Sequence, residues 1–255
     1  MARELRRLLI SPERLASAEP ELPLNSAESR YLTRVLRLGD GDRFSVIDGQ
    51  GCLWEAHLQG RDQARLLQSL AAPLQRQPPP QPRLLLAAAV VKRDFELVVR
   101  MAVELGVDRL IPLVCDRTAV QGHLRSERWR SIAAEAAEQC ERLWLPRLEE
   151  PMPISALLAD PQCSGGPRLW ATTRRGGLPG VLEQLAACEE NHLAAVQAIS
   201  LACGPEGGWS DREEVEAEKR GWLPVQLGPR ILRTSTACVS GLGLLSDWRA
   251  RQHGC

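Results

Sequence analysis

Leu201-Ala-Cys-Gly-Pro-Glu-Gly-Gly-Trp209 and Leu227-Gly-Pro-Arg-Ile-Leu-Arg-Thr-Ser-Thr-Ala237 decide how this chain is read. Each is a glycine- and proline-rich stretch that leaves an apolar run and leads into a helix-like segment. Gly204-Pro-Glu-Gly-Gly208 has neither the G-x-G-x-x-G spacing of a dinucleotide fold nor the Gly-Lys-Ser/Thr ending of a phosphate loop. Glycines without Cβ let a ligand lie against backbone and permit positive φ. A loop that joins the carboxyl end of a strand to a helix N-terminus faces a ligand crevice. By itself the loop reads first as an ordinary tight turn. In the second stretch Pro229 removes a backbone donor and stiffens the chain. Arg230 and Arg233 stand three apart among apolar Leu227, Ile231 and Leu232. An apolar wall with exposed backbone and two guanidiniums suits an adenine ring beside an anionic target. The competing reading has one arginine capping carbonyls and the other in a surface ion pair.

Working outward from these loops, 198–202 and 225–227 read as strands. Ser210 opens a helix with a capping box, since Glu213 follows three residues on, and Gly221 stops it. The last helix spans 234–249, where Gly241 and Gly243 permit close packing. Upstream, 84–91 is a continuous apolar run, 94–105 has helical spacing, and 110–114 is apolar again. A helix over 129–143, a strand over 168–171 and a helix over 182–187 follow. Fully apolar strands alternating with amphipathic helices predict an α/β domain whose parallel sheet is covered on both faces.

Before that domain, Gln75-Arg-Gln-Pro-Pro-Pro-Gln-Pro-Arg83 favours extended geometry and breaks helix and sheet. It divides the chain into a small domain over 1–74, a linker over 75–83 and a larger domain over 84–255. In the small domain 43–48 and 52–58 form a hairpin around Gly49-Gln50-Gly51, 66–70 adds a strand, and 27–38 has helical spacing. A small β-barrel carrying one helix fits this pattern.

Composition narrows the function classes. A chain of 255 residues with 44% hydrophobic and 25% charged residues is ordinary for a globular protein. Net charge is zero, so a nucleic-acid site must be a local patch. Only Lys92 and Lys219 are lysine, and the other 30 basic residues are arginine, which binds phosphate bidentately. The eight cysteines form no C-x-x-C and have no neighbouring histidine pair, against zinc and against a disulfide framework. Free thiols, no metal, no membrane span and a cytoplasmic location are expected.

The two loops resemble those of the SPOUT superfamily of methyltransferases, most closely its RsmE-type ribosomal RNA uridine methyltransferases. Similar stretches occur at Tyr31-Leu-Thr-Arg-Val-Leu-Arg37, Glu104-Leu-Gly-Val107 and Glu135-Ala-Ala-Glu-Gln-Cys140 with Arg142. The resemblance implies an N-terminal PUA-like β-barrel for RNA and a C-terminal SPOUT α/β domain with a deep trefoil knot. It also implies S-adenosyl-L-methionine as cofactor, a homodimer, and methylation of ring nitrogen 3 of a uridine in small-subunit ribosomal RNA. Free RNA and the assembled subunit stay open as substrates. On this reading Thr172, Leu201, Gly204, Gly207, Gly208, Leu227, Gly228, Ile231 and Leu232 bind the cofactor. Arg230, Arg233 and Glu206 are the catalytic candidates, and Arg6, Arg7, Arg30, Arg34, Arg37 and Arg142 the RNA-binding ones. Two departures leave the general base open: Ser235 stands where many relatives have Glu, and Thr172-Thr173 where relatives often have His with Pro or Glu. Two alternatives accompany this reading: an RNA-binding or ribosome-assembly protein of the same fold without methyl transfer, and a SPOUT enzyme acting on another RNA.

Overall fold

The computed structural model describes residues 5–17, 20–119, 124–190 and 196–252. The chain forms two compact units, Met1–Pro79 with Ala134–Leu145, and Pro80–Ala133 with Pro146–Cys255.

The first unit runs β1 (Arg7–Leu9), α1 (Pro12–Ala16), β2 (Glu21–Pro23), α2 (Ser26–Arg30), a π-helical turn (Tyr31–Val35), β3 (Arg43–Ile47), β4 (Cys52–Gln59), β5 (Gln63–Leu66) and β6 (Gln75–Arg76). One sheet has the order β1-β3-β4-β5-β2, with β6 paired to β4. The β1–β3 pair is parallel and β3–β4 antiparallel, with Val46 opposite Trp54. Phe44, Val46, Trp54, Ala56 and Leu58 form its core with Leu22 and Leu32. Leu143, from the distant segment, packs on Ile47 and Leu53.

Several expectations shift here. The strand expected over 66–70 lies instead at Gln63–Leu66. The stretch expected as a linker over 75–83 is strand at both ends: β6 takes Gln75–Arg76, and Arg83 opens the next strand. Residues 134–145, assigned by sequence to the larger domain, belong to the first unit. The single helix expected over 27–38 begins as α2, capped by Asn25 and Glu28, and then widens. Thr33 Oγ1 donates to the Ser29 carbonyl at 2.7 Å, where a hydroxyl competes with the backbone ladder. Leu36 N–H then reaches back five residues to Tyr31.

The second unit contains β7 (Arg83–Ala89), α3 (Phe95–Glu104), β8 (Arg109–Val114) and the first part of α4 (Ser126–Gln139). It continues with β9 (Arg147–Leu148), β10 (Met152–Pro153), α5 (Ile154–Leu158), a 3-10 turn (Pro161–Ser164), β11 (Arg168–Ala171) and α6 (Val181–Glu190). The remaining elements are β12 (Ala198–Cys203), α7 (Asp211–Lys219), β13 (Leu223–Val225) and α8 (Thr234–Gln252). The sheet order is β10-β8-β7-β12-β11-β13, with β9 on β8, and its pairs are parallel. β7 and β12 are buried along almost their whole length, as strands covered on both faces must be. Leu85, Ala87 and Ala89 of β7 join α5, Ala217 of α7, Trp170 and Trp222 in one cluster. α3 and α6 pack against α8, which lies on β7 and β12.

The last strand is set back from the expected 225–227 to Leu223–Val225. Gln226 donates its N–H to Pro179 at 3.0 Å and its side-chain amide to Leu178 at 2.6 Å. These bonds draw the chain off β11 and release Leu227 into the following loop. Among the described residues the cysteines are free, and five of the seven are buried. No described helix is long and apolar enough to cross a membrane, and no described cluster has the makeup of a metal site.

Candidate functional site

Because the large sheet is parallel, the loops after β8, β11, β12 and β13 emerge at its carboxyl edge. β12 lies between β7 and β11, where the direction of strand addition reverses. The loop 204–209 leaves the sheet there, and 226–233 leaves one strand beyond β11. Thr234 Oγ1 donates to the Gly204 carbonyl at 2.9 Å, so the two loops are tied at their roots.

The glycines serve different ends. A Cβ on Gly204 would lie 2.8 Å from the Trp209 ring, so this glycine makes room for the loop's own anchor. Trp209 stacks on Trp170 with centroids 3.9 Å apart, and its Nε1 donates to the Ala171 carbonyl at 2.8 Å. Gly207 abuts Arg117 Cβ, which a Cβ would approach to 3.1 Å. Gly208 and Gly228 have φ of +72° and +112°, and a Cβ at either would meet nothing within 4 Å. Those two positions combine left-handed backbone with open space. Gly208 N–H closes a turn onto the Pro205 carbonyl at 2.8 Å. Among the described residues, the central amides of that turn, Glu206 and Gly207, donate to no protein group.

The other site candidates separate into groups. Glu206, Arg230, Ile231 and Arg233 are exposed, Ile231 by 65%. Among the described residues neither arginine has an acidic partner. Leu227 and Leu232 are half-buried. Leu201 is fully buried in β12 and faces α8, with Cδ2 2.5 Å from where a Gly241 Cβ would stand. It forms the floor beneath the loops. Thr172 is also buried, its hydroxyl donating to Glu214 and its N–H to Val225. Gly241, expected at a partner interface, is occupied by Leu201 and Leu227 of its own chain, and Leu242 and Leu245 are buried in the same core. Val239, Gly243 and Leu244 are half-buried.

Sequence reading missed the loop after β8. Asp116 accepts from Ser210 Oγ at 2.7 Å and from Arg212 Nη2 at 2.8 Å. Its N–H donates to buried Glu213 at 2.9 Å. The Ser210 hydroxyl, with the Arg212 guanidinium, holds the Asp116 carboxyl below the usual carboxylate range. The Ser210–Glu213 capping box is present, but its glutamate also serves a residue 97 positions away. No local pattern could have signalled that second use.

In the first unit Arg6, Arg30, Arg34 and Arg37 are exposed. Arg37 has φ +60°, and the next residue's N–H returns to Leu32 at 2.9 Å. It therefore ends the helix in the left-handed position that glycine usually fills. Arg7 departs from the expected set: its side chain is only 11% exposed and bonds the Glu141 carboxylate and carbonyl. Arg142 is half-buried just after α4. Beside it in sequence, Glu138 accepts the Leu9 N–H at 2.7 Å, and burial pushes its carboxyl up to about 7.

Comparison with known proteins places these features. Residues 77–246 match the family model described as RNA methyltransferase domain, and 24–67 that described as RNA methyltransferase PUA domain. The chain is 37% identical over 94% of its length to Ribosomal RNA small subunit methyltransferase E of Synechocystis sp., covering 77% of that protein. It is 30% identical over 89% of its length to the protein of the same name from Mycobacterium bovis, covering 88% of it. The crystal structure of a Ribosomal RNA small subunit methyltransferase E from Neisseria gonorrhoeae, bound to S-adenosyl methionine, superposes with a TM-score of 0.77. That match is 26% identical and covers 96% of this chain and 98% of the other.

Proposed function

The chain belongs to the RNA methyltransferase family, among relatives named ribosomal RNA small subunit methyltransferase E, and on that basis we propose that it methylates ring nitrogen 3 of a uridine in small-subunit ribosomal RNA. The observation that carries the proposal is the tied pair of loops, 204–209 and 226–233, with open space beside Gly208 and Gly228.

The residues fit S-adenosyl-L-methionine. Unpartnered amides at Glu206 and Gly207, apolar Leu227 and Leu232, and glycines without Cβ suit a flat heterocycle lying on backbone. Gly204 and Leu201 would support this cradle from behind, and Thr172 would hold its wall through Glu214. Bound there, the cofactor supplies an activated methyl group on a sulfonium.

The protein's own residues handle alignment and charge. The uridine N–H must be deprotonated, and negative charge then spreads onto the two ring carbonyls. Arg230 or Arg233, exposed and without acidic partners among the described residues, would stabilise that charge. Glu206, exposed on the turn, is the available proton acceptor in this loop. Holding nucleophile and methyl donor in line supplies much of the remaining rate enhancement.

The first unit would bind RNA through Arg6, Arg30, Arg34 and Arg37, with Arg142 a further candidate. Arg7 leaves this set because Glu141 engages it. The same reading includes closure of the first sheet as a PUA-like barrel, a trefoil knot in the second unit, a homodimer and a cytoplasmic location. Insertion of β12 between β7 and β11 supports the knot.

The test is methyl transfer from labelled S-adenosylmethionine to small subunits from a strain lacking this protein. One methyl on one uridine, mapped by mass, is expected. Cofactor and RNA binding without transfer would instead favour an RNA-binding protein of the same fold.

A further inference from the structure

Arg117 lies outside both glycine loops. It sits on the turn after β8, which is fixed on several sides. Cys115 N–H donates to Thr118 Oγ1 at 2.8 Å, and Thr118 N–H returns to the Cys115 carbonyl at 3.0 Å. Asp116 is clamped to the start of α7 by Ser210, Arg212 and Glu213. From this mount Arg117 Nη1 donates to the Trp209 carbonyl at 2.8 Å and to the Gly207 carbonyl at 3.1 Å.

Those two carbonyls lie at the end of the glycine turn and at its junction with α7. A peptide is planar, so fixing the direction of a carbonyl fixes the N–H opposite it. The peptide joining Gly207 and Gly208 is flanked by two residues with little steric preference. Its N–H is turned onto the Pro205 carbonyl at 2.8 Å, and Arg117 holds its carbonyl. The peptide joining Trp209 and Ser210 leads into the α7 cap. Arg117 thus adds a side-chain restraint on the carbonyl side of two peptides whose N–H groups are turned onto Pro205 and Glu213. Gly207 also lets the Arg117 stem approach the backbone, where a Cβ would come within 3.1 Å of Arg117 Cβ.

We propose that Arg117 is a positioning residue for methyl transfer, bracing the 205–208 turn and its junction with α7 so that the Glu206 and Gly207 amides keep the orientation that the cofactor meets. This rests on the assignment of the two loops as the S-adenosylmethionine site. A guanidinium suits the task because its planar head carries several donors in a fixed fork. An ammonium at the same place satisfies the carbonyls less rigidly.

The experiment compares wild type, Arg117→Ala and Arg117→Lys by calorimetry with S-adenosylmethionine, thermal melting, and methylation of unmodified small subunits. Arg117→Ala should weaken cofactor binding about tenfold, equivalent to about 1.4 kcal/mol, and raise KM for the cofactor. KM for the RNA substrate should stay unchanged, and Arg117→Lys should regain part of the affinity. If Arg117→Ala binds the cofactor as tightly as wild type, the proposal is overturned, whatever its melting temperature. Should Arg117→Ala fail to fold, the same affinity readout on Arg117→Lys and Arg117→Gln decides. Absence of binding by wild type overturns the cofactor site itself, a result distinct from an indifferent Arg117 variant.

Discussion

Thr234 Oγ1 lies 2.9 Å from the carbonyl oxygen of Gly204 and donates to it. Thr234 is the first residue of α8, and Gly204 the first residue beyond β12. A single hydroxyl therefore couples the entry to the last helix with the root of the glycine loop. Nearby, Cys203 and Cys238 repeat the pairing of the same two elements. The hydrogen bond to Cys238, with burial, holds the Cys203 thiol above the usual range, so it stays neutral.

Removing that hydroxyl should loosen both loops at once. Thr234→Val keeps the shape but leaves a half-buried acceptor short of a partner, a loss of about 1 kcal/mol. Urea unfolding should report this loss, and calorimetry a weaker cofactor affinity. Thr234→Ser should behave as wild type in both.

The glycines should respond differently to substitution. Gly208→Val meets no neighbouring atom at its Cβ but forces a β-branched residue to φ +72°, so cofactor affinity should collapse while the protein remains folded. Gly204→Ala pushes on the Trp209 ring and should cost stability by about 1–3 kcal/mol, as overpacking does. Melting curves beside binding isotherms separate the two outcomes. Unchanged affinity in folded Gly208→Val would remove this loop from the cofactor site.

Glu138 should make the first unit sensitive to pH. Burial raises its carboxyl from 4.5 to about 7 in the folded state, with Glu135 and Glu28 adding to the shift and the Leu9 N–H opposing it. Tyr31 and Arg6 also lie in this environment. The folded state thus favours the protonated form. Its contribution is fully present below pH 4.5 and is lost as pH rises through about 7. Glu138→Gln, which still accepts from Leu9, should stabilise the protein at pH 8 and lose that advantage at pH 4. Denaturant melts across this range check the sign.

RNA binding should weaken steeply with salt, since phosphate contacts release counterions. Replacing Arg30 and Arg34 by alanine should reduce the slope of log K against log salt by about two. Arg37→Gly should gain about 1 kcal/mol of stability by relieving a left-handed arginine, while losing affinity for RNA. A double mutant that binds and methylates small subunits normally across a salt series would make these surface arginines only.

The homodimer proposal now rests on fewer groups than its sequence motif offered, because Gly241, Leu242 and Leu245 are occupied within the chain. Half-buried Val239 and Leu244 remain. Val239→Arg should shift sedimentation from dimer to monomer without lowering the melting temperature of the monomer. A wild type that sediments as a monomer at all concentrations would refute the dimer.

The sequence by itself determined what depends on near neighbours. The apolar runs at 84–91 and 110–114 became β7 and β8 because strands buried on both faces need continuous hydrophobicity. Ser210 with Glu213, and Gly221 beyond them, marked α7 through local hydrogen bonds and a left-handed stop. The two glycine loops were legible because glycine and proline restrict or free the backbone wherever they stand. Only the tertiary structure decided how the loops are held. Arg117 meets Gly207 across 90 residues, Asp116 meets Glu213 across 97, and Thr234 meets Gly204 across 30. Arg7 was drawn to Glu141 across 134 residues, and residues 134–145 joined a unit that sequence had closed near 74. Periodicity and turn chemistry act over a few residues, whereas these partners are chosen by strand order. Strand order is the outcome of packing the whole apolar surface at once.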